Sequence, residues 1–174
     1  WAAATGSLNI PSMFLFALVF LWTPAHFWAL ALVREKDYAR GGVPMLPVAR
    51  GEQETRKQIF VYTLELVALT VLMPIFKVTG SIFLISAVVL GLWLLHSAYR
   101  VLRDGGNKNA HLMYRYSSMY LAFIFLAMVI DALELLYTDR PDAYGIVSSD
   151  ADFTPLVMHL RAKGAAVYGF GTQQ

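Results

Sequence analysis

Cysteine is missing altogether from this chain. That excludes a disulfide framework and any thiolate metal site, and it says little about redox compartment. Charge is scarce too. Only 15% of the 174 residues are Asp, Glu, Lys or Arg, against about 25% in soluble domains. Residues 1–33 carry no formal charge at all. With 57% hydrophobic residues, an ordinary soluble domain is excluded and a membrane class is expected. The formal net charge of +2 is too small to argue for nucleic acid as a partner. The chain opens at Trp1 without a Met or a charged leader region, so it does not open like a signal peptide and reads as a piece of a longer protein. No internal repeat or low-complexity tract is present.

What is there is long and apolar. Residues 10–33 are long enough to span a bilayer, which takes roughly 20 residues. A second stretch, 59–76, is interrupted by Glu65; a third, 78–99, carries only His96; a fourth begins at Tyr116 and runs to about 136, crossing Asp131. The expected architecture is an all-α membrane protein with four spans at about 10–33, 59–76, 78–99 and 116–136, followed by a small α/β tail. The loops agree on a topology. The connection after the first span holds Arg34, Lys36, Arg40, Arg50, Arg56 and Lys57, and the one after the third holds Arg100, Arg103, Lys108 and Arg115, whereas the tight second connection holds only Lys77. Two basic loops separated by two spans lie on one side, which the positive-inside rule makes cytoplasmic or matrix. Thr55 with Gln58 reads as a capping box opening the second helix, and Pro44 and Pro47 are expected to keep the first loop non-helical.

Composition changes near residue 131. Beyond it, Ala143–Ser148, an amphipathic run to Lys163, and Ala165–Phe170 read as strand, helix, strand. Asp152 or Thr154 can cap the helix, Pro155 suits its first turn and Gly164 its C-terminal cap. Two strands joined by a crossover helix make a parallel unit, and nothing in it suits lipid.

Two groups of residues could carry chemistry. The first is Asp37 with Arg34, Lys36 and Arg40, at the end of the first span. A carboxylate can hold Mg²⁺ together with phosphate oxygens, and arginine and lysine bind phosphate as a fork and a point charge. The plain alternative is a basic loop with an incidental aspartate. The second is His26, beside Trp22, Pro24, Phe27 and Trp28 in an apolar span. A proline there frees a carbonyl and bends the helix. The histidine could ligate a haem iron or hydrogen-bond a ligand, or simply be satisfied by a neighbouring helix. Glu65 pairs with another helix or has no role, and His96 sits near a span end where solvation accounts for it.

Four segments are familiar in this order: Trp1-Ala-Ala-Ala-Thr-Gly6, Trp22-Thr-Pro-Ala-His-Phe-Trp-Ala-Leu-Ala-Leu32, Asp37-Tyr-Ala-Arg-Gly-Gly-Val-Pro-Met-Leu-Pro-Val48 and Gln58-Ile-Phe-Val-Tyr-Thr63. Together they resemble the haem O synthases (protohaem IX farnesyltransferases) of the UbiA-type intramembrane prenyltransferases, over residues 1 to about 130. The resemblance implies a bundle of about nine spans that transfers a farnesyl group from farnesyl diphosphate to a vinyl group of haem B. Mg²⁺ would bridge the diphosphate and two acidic loops. Asp37 matches the acidic residue of the second loop, as metal ligand and catalytic group, and Lys36 and Arg40 match the cations around it. Arg34, Tyr38, His26 and Trp22 are implied as substrate-binding. The implied setting is a bacterial or mitochondrial inner membrane, with lipid, haem and an isoprenoid diphosphate as partners and an N-terminal half bearing the first acidic loop. Glu65 departs from the pattern, standing where an apolar residue is expected.

The tail resembles something else. Val129-Ile-Asp131, Ile146-Val-Ser-Ser-Asp150-Ala-Asp152 and Val167-Tyr-Gly-Phe-Gly171 look like the second half of an NYN domain, a PIN-like nuclease in which aspartates at strand ends bind a divalent metal. Asp131, Asp150 and Asp152 match that cluster as a relic of a metal site; the plain reading of the last two is helix capping. The chain therefore divides into 1–131, a prenyltransferase half, and 132–174, a partial NYN-like segment, which reads as a fusion. The expected function is farnesyl transfer; a ribonuclease fragment or an inactive membrane fragment are the alternatives.

Overall fold

The computed structural model describes residue 8, residues 10–138 and two strands at 143–147 and 166–170. Six helices come first: α1 (Ile10–Val33), α2 (Glu35–Arg40), α3 (Leu46–Arg50), α4 (Glu52–Leu72), α5 (Ser81–Asp104) and α6 (Gly106–Thr138). The four long ones close a ring. α1 packs on α4 and α6, α4 on α5, and α5 on α6.

The packing follows from residue spacing. Along α6 the buried positions are Ala110, Met113, Ser117, Tyr120, Ile124, Ala127 and Asp131. Steps of three and four keep one helical stripe facing inward. α4 repeats the pattern with Ile59, Thr63, Leu66 and Thr70, and α5 with Phe83, Ala87, Gly91, Leu94, Ala98 and Val101. Small residues let helices approach closely where lipid supplies no hydrophobic drive. At Gly91 a Cβ would lie 2.7 Å from Val67 Cγ1. The hydroxyls in these stripes find partners: Thr63 Oγ1 donates to Ile59 O at 2.7 Å within α4, and Thr70 Oγ1 lies 3.0 Å from Tyr120 Oη on α6. The outer face carries Phe16, Phe20, Leu64, Ile85, Val89, Leu92, Phe123 and Leu126 in the open.

Among the described residues three helices are long and apolar enough to cross a membrane: α1, α5 and the Gly106–Glu134 part of α6. α4 is not one of them. It starts at Glu52 rather than at 59 and ends at Leu72 rather than 76. Pro74 follows immediately, and the chain turns through Lys77, whose φ is 56°. The apolar part, 59–72, spans about 21 Å at 1.5 Å per residue, short of a hydrocarbon core about 30 Å thick. The third and fourth helices are correspondingly longer than expected, reaching Asp104 and Thr138.

Local signals also need correction. Thr55 does not cap α4. Gly51 is the N-cap residue without a side-chain bond, and Thr55, one turn in, donates back to Gly51 O at 2.9 Å. Gln58 Nε2 bonds Glu54, not the helix start. The first connection is not free of helix, since α2 and α3 lie in it. Pro47 sits in the first turn of α3, where its missing N–H has no partner to lose.

The two basic connections meet at one end of the ring. The Arg56 guanidinium lies against Gly105, leaving no room for a Cβ, and the φ of +62° there also favours glycine. At the opposite end Asp131 does something no local pattern announces. Its carboxylate accepts the N–H of Gly80 and, at 3.4 Å, that of Phe83. Those are the first donors of α5, whose N-cap residue offers no side chain of its own.

The division at 131/132 falls inside α6, which runs on to Thr138 without a break. Beyond it, β1 (Ala143–Val147) and β2 (Ala166–Phe170) pair in parallel, Ala143 opposite Ala166 and Val147 opposite Phe170. The helix expected between them, with Asp150 and Asp152, lies outside the described residues.

Candidate functional site

The loop group is built on α2. Arg34 ends the first span without capping α2 by its side chain. Asp37 and Arg40 then fall one turn apart, with Arg40 Nη2 donating to Asp37 Oδ1 at 3.2 Å and Arg40 Nε to Lys36 O at 3.3 Å. Both partners of the ion pair are open to solvent, at 79% and 68% exposure. Arg34 and Lys36 are also exposed, and Tyr38 is half-buried. A Gly41–Gly42 turn reverses the chain, with Gly42 at φ +65°, and Val43 N–H closes it onto Tyr38 O at 3.0 Å.

Among the described residues no three Asp, Glu or His side chains come together as a metal cage. Mg²⁺ does not require one: it takes one or two carboxylates and keeps water or substrate phosphate oxygens. Asp37, exposed and with Oδ2 unengaged among the described residues, fits as one such carboxylate beside three cations suited to a diphosphate.

The membrane group is organised differently. His26 is buried at 8% exposure. Its ring stacks on Trp22 at 4.3 Å between centroids and leans on Tyr114 at 4.6 Å, with Phe27 edge-on at 5.5 Å. Nδ1 lies 2.8 Å from Ser117 Oγ. The Ser117 hydroxyl has its own proton committed to Tyr114 O at 2.8 Å, so it receives the proton on Nδ1. Nε2 is then the free acceptor, with no hydrogen bond among the described residues. Trp22 Nε1 donates to Ser117 O at 2.8 Å. This satisfies His26 from a neighbouring helix, and it also fixes the tautomer and ring plane as a ligating histidine requires. Pro24 is accommodated within α1.

The remaining residues fall elsewhere. Asp131, expected in a nuclease metal cluster, sits in a helix and caps α5. Glu65 faces outward from α4, and His96 is exposed. No hydrogen bond or ring contact links His26 to the loop group among the described residues. Tyr114 and Ser117 were not anticipated from the sequence; the signal for Ser117 was its place on the same inward stripe as Met113 and Tyr120.

A membrane helix bundle with a phosphate-suited loop and a buried aromatic–imidazole group defines a class, and comparison with known proteins gives it a family. The chain belongs to the UbiA prenyltransferase family, whose model matches residues 1–130, and with its three apolar helices it is an integral membrane protein. It is 54% identical over 131 residues to the Protoheme IX farnesyltransferase of Roseiflexus sp. (strain RS-1), covering 75% of this chain and 24% of that protein. It is 44% identical over 136 residues to the Protoheme IX farnesyltransferase of Gloeobacter violaceus, covering 78% and 45%. The chain thus spans between about a quarter and somewhat under half the length of these relatives. The NYN domain model matches residues 122–174, overlapping the first match. No solved structure matches.

Proposed function

We propose that this chain supplies part of a protohaem IX farnesyltransferase, which moves a farnesyl group from farnesyl diphosphate to haem B. The observation that carries the reading is the match over residues 1–130 to a family whose relatives bear that name, together with a carboxylate and three cations gathered where the first span ends. In this reading α4 is a fourth crossing, completed by the rest of the bundle, and the basic end of the ring faces the cytoplasm or matrix of an inner membrane.

Each side chain then has a task. Breaking the bond between farnesyl C1 and oxygen leaves negative charge on the diphosphate. Arg34, Lys36 and Arg40 receive that charge as it develops. Asp37 would hold a Mg²⁺, which when bound would supply Lewis-acid stabilisation of the leaving diphosphate. Trp22 and Tyr114 hold the His26 ring, whose Nε2 is placed to meet the haem iron or a polar edge of a substrate.

The direct test replaces the corresponding segment of the Gloeobacter violaceus relative with residues 1–136 of this chain. The chimera should form haem O from haem B, farnesyl diphosphate and Mg²⁺. A chimera that inserts fully and forms none overturns the reading. Sidedness has its own test, since the chain has no native cysteine. Gln53→Cys and Asn107→Cys, both exposed, should react with a membrane-impermeant maleimide from the same face; labelling from opposite faces removes the four-crossing arrangement.

A further inference from the structure

Near the basic end of the ring, α5 and α6 do not close fully. A shallow, open cleft lies between them, lined by Trp93, His96, Ser97, Arg100, Asn109 and Tyr116, with Leu112 completing the wall. The lining falls on two matched stripes, 93/96/97/100 on α5 and 109/112/116 on α6, which the antiparallel pairing of the helices brings face to face. The cleft is graded along its length. The end near Gly105 carries Arg100 and Asn109, with Asn109 Nδ2 donating to Gly105 O at 2.9 Å. At the other end Trp93 and Tyr116 pack ring on ring, with centroids 4.7 Å apart.

Its depth is set by the helix. α5 is 24 residues long, or about 36 Å, which exceeds a hydrocarbon core of about 30 Å. Arg100, one turn from the end at Asp104, can therefore reach headgroup level, and Trp93, about 10 Å further in along the helix, lies with Tyr116 at the depth of the acyl chains. Arg100 makes no ion pair among the described residues, and His96 makes no hydrogen bond there. An unpaired guanidinium with imidazole, hydroxyl and amide groups around it suits a phosphate oxyanion. The aromatic floor suits the acyl chain attached to one, and a soluble phosphate would leave that floor unused.

We propose that the α5–α6 cleft binds an anionic phospholipid, its phosphate on Arg100 and His96 and the start of its acyl chains over Trp93 and Tyr116. The site is separate from the Asp37 loop and does not depend on the farnesyltransferase reading.

The test is native mass spectrometry of the detergent-solubilised chain with phosphatidylglycerol or phosphatidylcholine of identical acyl chains. Phosphatidylglycerol should be retained in preference. Arg100→Gln should reduce its retention about fivefold, the effect of one cation near the lipid surface; Arg100→Lys should fall between, keeping charge without the fork. Arg103→Gln, which removes an equal charge one turn away from an exposed position outside the cleft, should change nothing. Equal losses for Arg100→Gln and Arg103→Gln would reduce the site to general surface charge, and equal retention of the two lipids would remove it. Displacement of phosphatidylglycerol by millimolar inorganic phosphate or diphosphate would assign the cleft to a soluble anion and overturn the lipid. Circular dichroism unchanged between the chain and Arg100→Gln ties the loss to the site rather than to the fold.

Discussion

The Asp37 loop and the His26 group sit within one short stretch of sequence and are built on opposite principles. Around His26 the ring is fixed by packing and hydrogen bonding: Trp22 stacks on it, Tyr114 leans on it, Nδ1 is committed to Ser117, and Trp22 is tied to the same residue's carbonyl. The Asp37 side chain makes one contact among the described residues, a solvent-exposed ion pair with Arg40, and such pairs contribute about 0–1 kcal/mol. Burial forces organisation because an unsatisfied group in lipid is costly. Exposure leaves charges free to reorganise around a ligand. The histidine group is thus held by contacts within this chain, whereas under the proposed function the loop would take its geometry from a bound diphosphate.

Substitutions can break this contrast. The largest effect is expected from Asp37→Asn in the active chimera: a loss of about 10³-fold in haem O formation, since metal bridging contributes several kcal/mol, with thermal stability unchanged. A lowered unfolding midpoint for this variant would show that the loop is structural after all. Ser117→Ala should do the reverse. It strands the buried His26 Nδ1–H at a cost of about 1–3 kcal/mol, read as a lower midpoint in detergent, and Ser117→Thr should restore it. Unchanged stability in Ser117→Ala would mean that the His26 tautomer is set by something other than the serine. The smallest effect is expected from Arg40→Lys, a drop in activity of about tenfold as the planar fork becomes a point charge, again without a stability change.

How legible this was depended on range. The first span was readable to the residue, because an uncharged run ending at Arg34 has few alternatives, and the family was readable from segments that lie entirely within it. The limits of α4 were not. Glu52 and Glu54 suggest a loop by composition, yet acidic residues also favour the first turn of a helix, and Gly51 could begin one without any side-chain signal. Pro47 suggests a breaker in the sequence, because its place in the first turn of α3 shows only once the start of α3 is known. Asp131 was least legible: a carboxylate in an apolar stretch invites a catalytic reading, and its true partners lie 48 and 51 residues earlier. The aromatic partners of His26 were half visible, Trp22 lying one turn away on the same helix and Tyr114 only after α6 had docked.

The reach of Asp131 also bears on how the chain is made. When α5 leaves the ribosome its first backbone donors have no partner, and the carboxylate that will satisfy them has not yet been synthesised. α5 cannot settle alone in the bilayer with that end finished. It becomes complete only when nearly all of α6 has followed, so the two helices are expected to enter the membrane as a hairpin, latched at the last step by one aspartate.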